Sequence, residues 1–283
     1  MRVKENLMRG VFLATACVSI LAVVLICVFL FANGVPAIAE IGVFKFLFGT
    51  TWKPMNNVFG ILPMIVGSIY VTAGAIIIGV PIGVLCAVFM ARFCPRKLYR
   101  VLKPTINLMA GIPSIVYGFF GLVVIVPIMQ DLFNIGGKSI LTASILLGIM
   151  ILPTIVSVTE SAIRAVPESY YEGALALGAT HERSVFKAML PAARSGIMAG
   201  VILGIGRAIG ETMAVVMVAG NQAVLPDSLL SGVRTLTSNI VLEMGYAADL
   251  HREALFGTAV VLFVFILIIN VSFSLFKKRK EKA

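Results

Sequence analysis

From Pro54 to Ala91 the chain carries no charged residue. A stretch so long and apolar exceeds one membrane crossing, since a spanning helix takes about 20 apolar residues. Asn56, Asn57, Gly60 and Pro63 mark its start as irregular. The helix is therefore expected over Ser68–Ala91, after a short interfacial segment. Five further apolar runs follow the same logic: Val11–Ala32, Pro104–Gln130, Ser139–Thr159, Ser195–Gly220 and Ala254–Phe276. The chain is 59% hydrophobic, against about 45–50% in soluble domains. The runs predict an all-α integral membrane protein with six transmembrane helices. The first run has basic residues before it and Ala37-Ile38-Ala39 after it, as a signal peptide would. Its apolar core is longer than the roughly 7–15 residues of a signal, so a retained anchor is expected.

Six crossings put both termini on one side, and the basic residues say which. Seventeen of the 23 Lys and Arg fall in the N-terminal segment, the loops after helices two and four, and the tail Lys277-Lys278-Arg279-Lys280 with Lys282. Five fall on the other side: Lys45, Lys53, Lys138, Arg234 and Arg252. Basic residues gather on the cytoplasmic side, so both termini are expected there. The same bias accounts for the net charge of +10 without nucleic acid.

Chemistry-bearing residues are few. Cys17, Cys27, Cys86 and Cys94 include no CxxC pair, and most lie inside apolar runs, where cysteine is an inert small apolar residue. His181 and His251 have no metal-ligand partner at useful spacing, so no metal site is expected. Gly136-Gly137-Lys138-Ser139 ends like a phosphate loop, but Leu132 stands where the first glycine belongs. The segment also precedes a membrane span on the external side. With no nucleophile–base set either, an enzyme is not expected.

The loop between helices four and five is the longest on the cytoplasmic side. Pro167 suits a first helical position, and Glu168 and Glu172 an N-terminal turn. Gly178 suits the left-handed position that ends a helix. Thr180 can cap a second helix, which Pro191 is expected to break. Tyr170, Tyr171, Ala174, Leu175 and Leu177 give this short helix apolar surface outside the membrane, which calls for a protein partner.

Glu172-Gly173-Ala174, Gly178 and Leu190-Pro191 resemble the signature loop of ABC importer permeases, E-A-A-x3-G-x9-I-x-L-P. Two positions depart from it, Gly173 for Ala and Ala188 for Ile. The stretches GIPSIVYGFFG (111–121) and GRAIGETMAVVMVAGN (206–221) resemble the permeases of phosphate-specific ABC importers, the second in its C-type form. The resemblance covers roughly residues 55 to 276. It implies a type I importer permease fold, with residues 58–276 as the permease core, 160–194 as its coupling loop, 1–57 as an N-terminal helix and external segment, and 277–283 as a basic tail. It further implies inorganic phosphate as substrate, an A-type permease as heterodimer partner, an ATPase dimer that binds the ATP and Mg, and an external phosphate-binding protein. No cofactor is expected in this chain.

The fifth run holds the one basic residue inside a crossing. Read as one helix, it places Arg207 about 16 Å from Gly196, near the middle of a roughly 30 Å hydrocarbon layer, with Glu211 one turn further out. Gly196, Gly200, Gly204, Arg207 and Glu211 would share one face, within an arc of about 80°. Such a face either admits a neighbouring helix closely or borders a polar pathway. An Arg-first pair at i,i+4 is the weaker orientation, and a charge in the membrane interior is expensive. A pathway or gate role is expected for Arg207 and Glu211, a structural ion pair being the alternative. Pro113 should kink helix three, with Ser114 or a water satisfying the freed carbonyl; the kink either serves packing or puts Ser114 or Tyr117 on a pathway. Other readings are a permease for another oxyanion such as sulfate or molybdate, or a stand-alone anion transporter, which leaves the loop unexplained.

Overall fold

The computed structural model describes residues 2–134 and 136–281; the side chains of Arg2, Lys4 and the basic tail lie outside the described set. A long helix, α1 (Arg2–Ile41), is followed by the short α2 (Val43–Phe48). Strands β1 (Trp52–Lys53) and β2 (Val58–Phe59) form a small antiparallel hairpin, with Trp52 opposite Phe59. This hairpin is the irregular segment expected before helix two. Next, α3 (Leu62–Val88) begins at Leu62 rather than Ser68, because Pro63 sits in the first turn, where its missing N–H breaks no hydrogen bond. A π turn, Phe89–Phe93, ends this span.

The third run divides in two, contrary to expectation. The amphipathic α4 (Arg96–Gly111) stops at Ile112 and Pro113, which are extended, and α5 (Ser114–Phe120) starts a separate helix. A residue before proline is pushed out of the helical region, so Pro113 starts a helix instead of kinking one. Through a π turn at Gly121–Ile125, α5 continues into α6 (Val126–Phe133), and Ser114–Phe133 makes the third crossing. The fourth is α7 (Ile140–Arg164), whose N-terminus is capped by Ser139: its Oγ accepts the Thr142 N–H at 3.2 Å. That cap is the structural use of the Gly-Gly-Lys-Ser stretch.

On the side that the basic residues mark as cytoplasmic lie α8 (Glu168–Ala176), α9 (His181–Ser184), a π turn at Val185–Met189, and α10 (Leu190–Ala192). Pro167 precedes α8 as its cap residue. Pro191 does not break the second loop helix: it lies in the first turn of α10, where no N–H is needed, and the chain bends by 71° around Ala193. Then come α11 (Arg194–Gly210), α12 (Met213–Val218), α13 (Leu236–Glu243) and α14 (Asp249–Glu281).

Among the described residues, five helices are long and apolar enough to cross a membrane: Met8–Ile41, Leu62–Phe93, Ser114–Phe133, Ile140–Arg164 and Asp249–Ser272. The remaining crossing, fifth in chain order, is α11, whose 17 residues reach about 26 Å, with α12 following after a break. Lipid offers helices no hydrophobic drive to associate, so small residues and close packing hold the bundle. On α3, Gly79 and Gly83 face Ile151 and Ile155 of α7, where a Cβ would come within 2.8 to 2.9 Å of their side chains. Outside this centre, α1 packs on α14 through edge-to-face ring pairs, Phe29–Phe256 at 5.5 Å and Phe31–Phe263 at 5.8 Å.

Candidate functional site

The fifth crossing is not one continuous helix. Its first part, α11, ends at Gly210; Glu211 is extended (ψ 132°), and the helix restarts at Met213. Glycine is a poor helix former, and tertiary partners take up the backbone groups that the break leaves. The Glu211 carbonyl accepts a hydrogen bond from Thr237 Oγ1 at 3.0 Å, and Glu211 Oε1 accepts the Ala214 N–H at 3.2 Å. Arg207 and Glu211 therefore do not share a continuous helix face and form no ion pair. Among the described residues no carboxylate lies within 4.0 Å of the Arg207 guanidinium; Nη1 donates to Thr154 Oγ1 at 3.3 Å.

The glycines on α11 face α7. A Cβ on Gly200 would stand 2.9 Å from Thr159 Oγ1, one on Gly204 would stand 2.7 Å from Ile155 Cγ1, and one on Gly196 would overlap Ala162. This stripe lets two backbones approach, and Arg207 continues toward Thr154 on the same α7 neighbour. Across the break, α12 lies on α5: a Cβ on Gly118 would meet Ala214 Cα at 2.9 Å. Tyr117 is buried, and its hydroxyl donates to the Met109 carbonyl at 2.9 Å. That carbonyl is the one Pro113 cannot reach, so Tyr117 does the work expected of Ser114 or a water. Ser114 is half-buried at the start of α5.

The loop between the fourth and fifth crossings is a folded unit. Gly178 takes φ +83°, the left-handed conformation, with no atom within 4 Å of where a Cβ would stand. Thr180 Oγ1 accepts the Arg183 N–H at 3.3 Å and caps α9. Tyr171 points inward: its hydroxyl lies 2.7 Å from His181 Nδ1, and Arg92 sits 5.7 Å from its ring centre. Arg92 also holds both carboxylate oxygens of Glu168 at 3.0 Å. The loop is thus fastened to the end of the second span by Arg92, and by Phe93 against His181 at 4.7 Å. Tyr171 belongs to this fastening rather than to the outer surface. Tyr170, Glu172, Gly173, Leu175 and Leu177 remain exposed, Leu177 at 91%. Ala174 and Leu190 are half-buried, and Pro191 is exposed.

Two charge clusters went unnoticed in the sequence. Glu160 is 1% exposed on α7 and accepts from Tyr99 at 2.7 Å, Lys103 at 2.7 Å and Arg164 at 2.8 Å. The hydrogen bond to Glu160, and then burial, push the Tyr99 hydroxyl above its ordinary pKa, so it stays a donor. At the opposite end, Glu243 accepts from Arg234, from Trp52 Nε1 at 2.7 Å and from His251 Nε2 at 2.8 Å. Trp52, Phe59 and Tyr246 surround His251, with ring centres 5.9 to 6.2 Å away. The signal available was a lone tryptophan and one of only two histidines, yet their partners come from distant segments. Among the described residues no three His, Cys, Asp or Glu are placed to hold a metal ion.

A six-crossing bundle whose loop between the fourth and fifth crossings is folded, fastened and left open at one face has the build of a multi-pass permease subunit, a transport component and not an enzyme. The chain belongs to the family described as the binding-protein-dependent transport system inner membrane component, whose family model matches residues 79–282. It is 40% identical over 275 residues to the "Probable ABC transporter permease protein YqgH" of Bacillus subtilis (strain 168), covering 93% of this chain and 89% of that protein. It is 36% identical over 274 residues to the "Phosphate transport system permease protein PstC" of Mesorhizobium japonicum, covering 88% of this chain and 84% of that one. Among solved structures, a chain of a bacterial alginate ABC transporter, crystallised with a pentasaccharide-bound periplasmic protein, superposes with a TM-score of 0.67 over 100% of this chain and 99% of that chain. At 14% identity that likeness speaks for the type I importer permease fold alone.

Proposed function

We propose that this chain is a transmembrane permease subunit of an ATP-driven importer for inorganic phosphate. Residues 58–276 form its translocation unit. The observation that carries the reading is Arg207: a positive charge inside an apolar crossing, held by one hydroxyl and, among the described residues, by no carboxylate. Burying an unpaired cation is expensive, and an anion crossing the low-dielectric layer would meet it there. The identity to phosphate-transport permeases supports phosphate as that anion. A partner ATPase dimer, which binds ATP and Mg, docks on the exposed residues of α8, from Tyr170 to Leu177, with the Gly178 corner setting its angle. An A-type permease completes the pathway as a heterodimer, and an external phosphate-binding protein delivers the substrate.

Ser114 starts α5, with Tyr117 one turn in, and Glu211 lies in the break before α12 starts. These helix starts border the proposed pathway. The test is anion uptake by vesicles holding the whole complex, with phosphate competing against sulfate and molybdate. The expected result is ATP-dependent phosphate uptake that neither competitor suppresses at equal concentration. Uptake without the ATPase would replace this reading with a stand-alone transporter, and preferred uptake of sulfate or molybdate would replace the substrate.

A further inference from the structure

Helix α4 carries more surface than the protein covers. Its inner face, Tyr99, Leu102, Lys103 and Ile106, packs on the second and fourth crossings: Tyr99 and Lys103 hold Glu160, while Leu102 and Ile106 lie against Ala87, Met90 and Val156. At about 100° per residue the rest of the helix divides into two adjoining stripes. Arg96, Lys97 and Arg100 form one and are exposed. Leu98, Val101 and Leu108 form the other, and they are 42%, 63% and 73% exposed. Exposed apolar residues beside a basic stripe are the build of a helix lying in a membrane interface.

The position of α4 agrees with this. It connects the end of the second crossing at Phe93 to the start of the third at Ser114, on the side that the basic residues mark as cytoplasmic. It therefore lies at the level where a leaflet's headgroups begin. The cytoplasmic leaflet is rich in anionic lipid, and each Lys or Arg held against it strengthens association about fivefold. No acidic residue on α4 itself opposes the stripe, since none occurs from Ala91 to Gln130, and the neighbouring Glu160 and Glu168 are held by Lys103, Arg164 and Arg92.

We propose that α4 is an interfacial anchor that binds anionic phospholipid headgroups through Arg96, Lys97 and Arg100, with Leu98, Val101 and Leu108 entering the acyl boundary. Lys103 is spared for Glu160. Because α4 holds Glu160 on the fourth crossing, this lipid contact bears on the same helix that holds Arg207 through Thr154. The proposal does not depend on which anion is transported.

The test uses the full chain, assembled with its partner subunits in nanodiscs of phosphatidylcholine alone or with phosphatidylglycerol added. Amide exchange is followed across residues 96–111. Phosphatidylglycerol should slow exchange in the wild type, and the Arg96→Gln/Lys97→Gln/Arg100→Gln variant should lose that response, its lipid affinity falling on the order of a hundredfold. Inorganic phosphate at matched ionic strength, in phosphatidylcholine alone, should not slow exchange. A photo-crosslinker at Leu108 should capture lipid. Exchange indifferent to phosphatidylglycerol would overturn the proposal. Equal protection by free phosphate would also overturn it, in favour of a soluble-anion site, and so would capture of a protein chain at Leu108, in favour of a subunit interface. Should the triple variant fail to assemble, the wild-type lipid response and the crosslink still decide.

Discussion

Gly178 offers a clean separation of backbone strain from steric clash. Its φ of +83° lies in the left-handed region, and the space where a Cβ would stand is empty to 4 Å. A substitution there meets no atom of its own chain, so any effect on this chain comes from the backbone. Left-handed backbone costs a residue with a Cβ about 1–2 kcal/mol, more for a β-branched one, and less for asparagine, which visits this region readily. If α8 docks an ATPase subunit only with the corner intact, a strain of about 2 kcal/mol lowers the docking-competent fraction up to about thirtyfold. The expected order is Gly178→Asn within about threefold of wild type, Gly178→Ala near tenfold weaker, and Gly178→Val about thirtyfold weaker or worse. The assay is titration of the ATPase subunit against permease in nanodiscs, at equal amounts of inserted permease. Asparagine and valine both carry a Cβ. Equal losses for the two would mean a clash with the partner and not strain, and wild-type binding by Gly178→Val would remove the corner from the docking surface.

Gly204→Ala should destabilise the chain by about 1–3 kcal/mol, because its Cβ would crowd the fully buried Ile155 at 2.7 Å. Gly206→Ala on the same helix, with nothing within 4 Å, should be neutral or slightly stabilising; thermal unfolding in detergent compares them, and equal shifts would refute the packing account. Glu243→Ala leaves Arg234 without its carboxylate and the Trp52 N–H without a partner, and should cost about 3–5 kcal/mol, with Glu243→Gln milder, read as a fall in melting temperature. Arg207→Ala should abolish uptake per assembled complex, and Arg207→Lys should keep part of it, since charge survives but the planar fork does not. A loss of assembled complex in place of uptake would make Arg207 structural.

The crossings were readable because hydrocarbon imposes one rule, a long apolar run, and each run could be found without knowing its neighbours. The glycine corner at Gly178 and the cap at Thr180 were readable because both are local: their geometry is set within a few residues. Helix breaks at Pro113 and Glu211 were harder. Ile112-Pro113 carried its signal in the proline, but a proline alone does not say whether a helix kinks or restarts. Here the Met109 carbonyl is shared by the Ile112 N–H at the helix end and by Tyr117 from inside the next helix, contacts that the proline does not announce. At Glu211 the local contacts, Gly210 and the bond to the Ala214 N–H, are joined by a distant one, since Thr237, which holds its carbonyl, lies 26 residues away. The Glu160 and Glu243 clusters were hidden for the same reason: only Arg164 lies at helical spacing from Glu160, Tyr99 and Lys103 being 61 and 57 positions away, and Trp52 and Glu243 are 191 positions apart.

The break in the fifth crossing changes what its two charges can do. On a continuous helix, Arg207 and Glu211 would face each other at i,i+4 and offset one another, and an anion would have to compete with the carboxylate. With the helix cut between them, each charge is provided for separately. Arg207 lies in the last turn of α11, where the free carbonyl ends carry partial negative charge and favour a cation. Glu211 instead turns to the Ala214 N–H at the start of α12, one of the donors that a helix start leaves open. The arginine is then steadied by the partial negative charge of the helix end and by the Thr154 hydroxyl, both weaker partners than a carboxylate. Weak partners hold the side chain in place without neutralising it, which is what a transient anion contact requires. The glycine stripe serves the same end from the other side: by bringing α11 close to α7, it puts Thr154 within reach of Arg207. In this reading the small residues and the charge are one arrangement, in which backbone proximity supplies the hydroxyl and the helix break withholds the carboxylate.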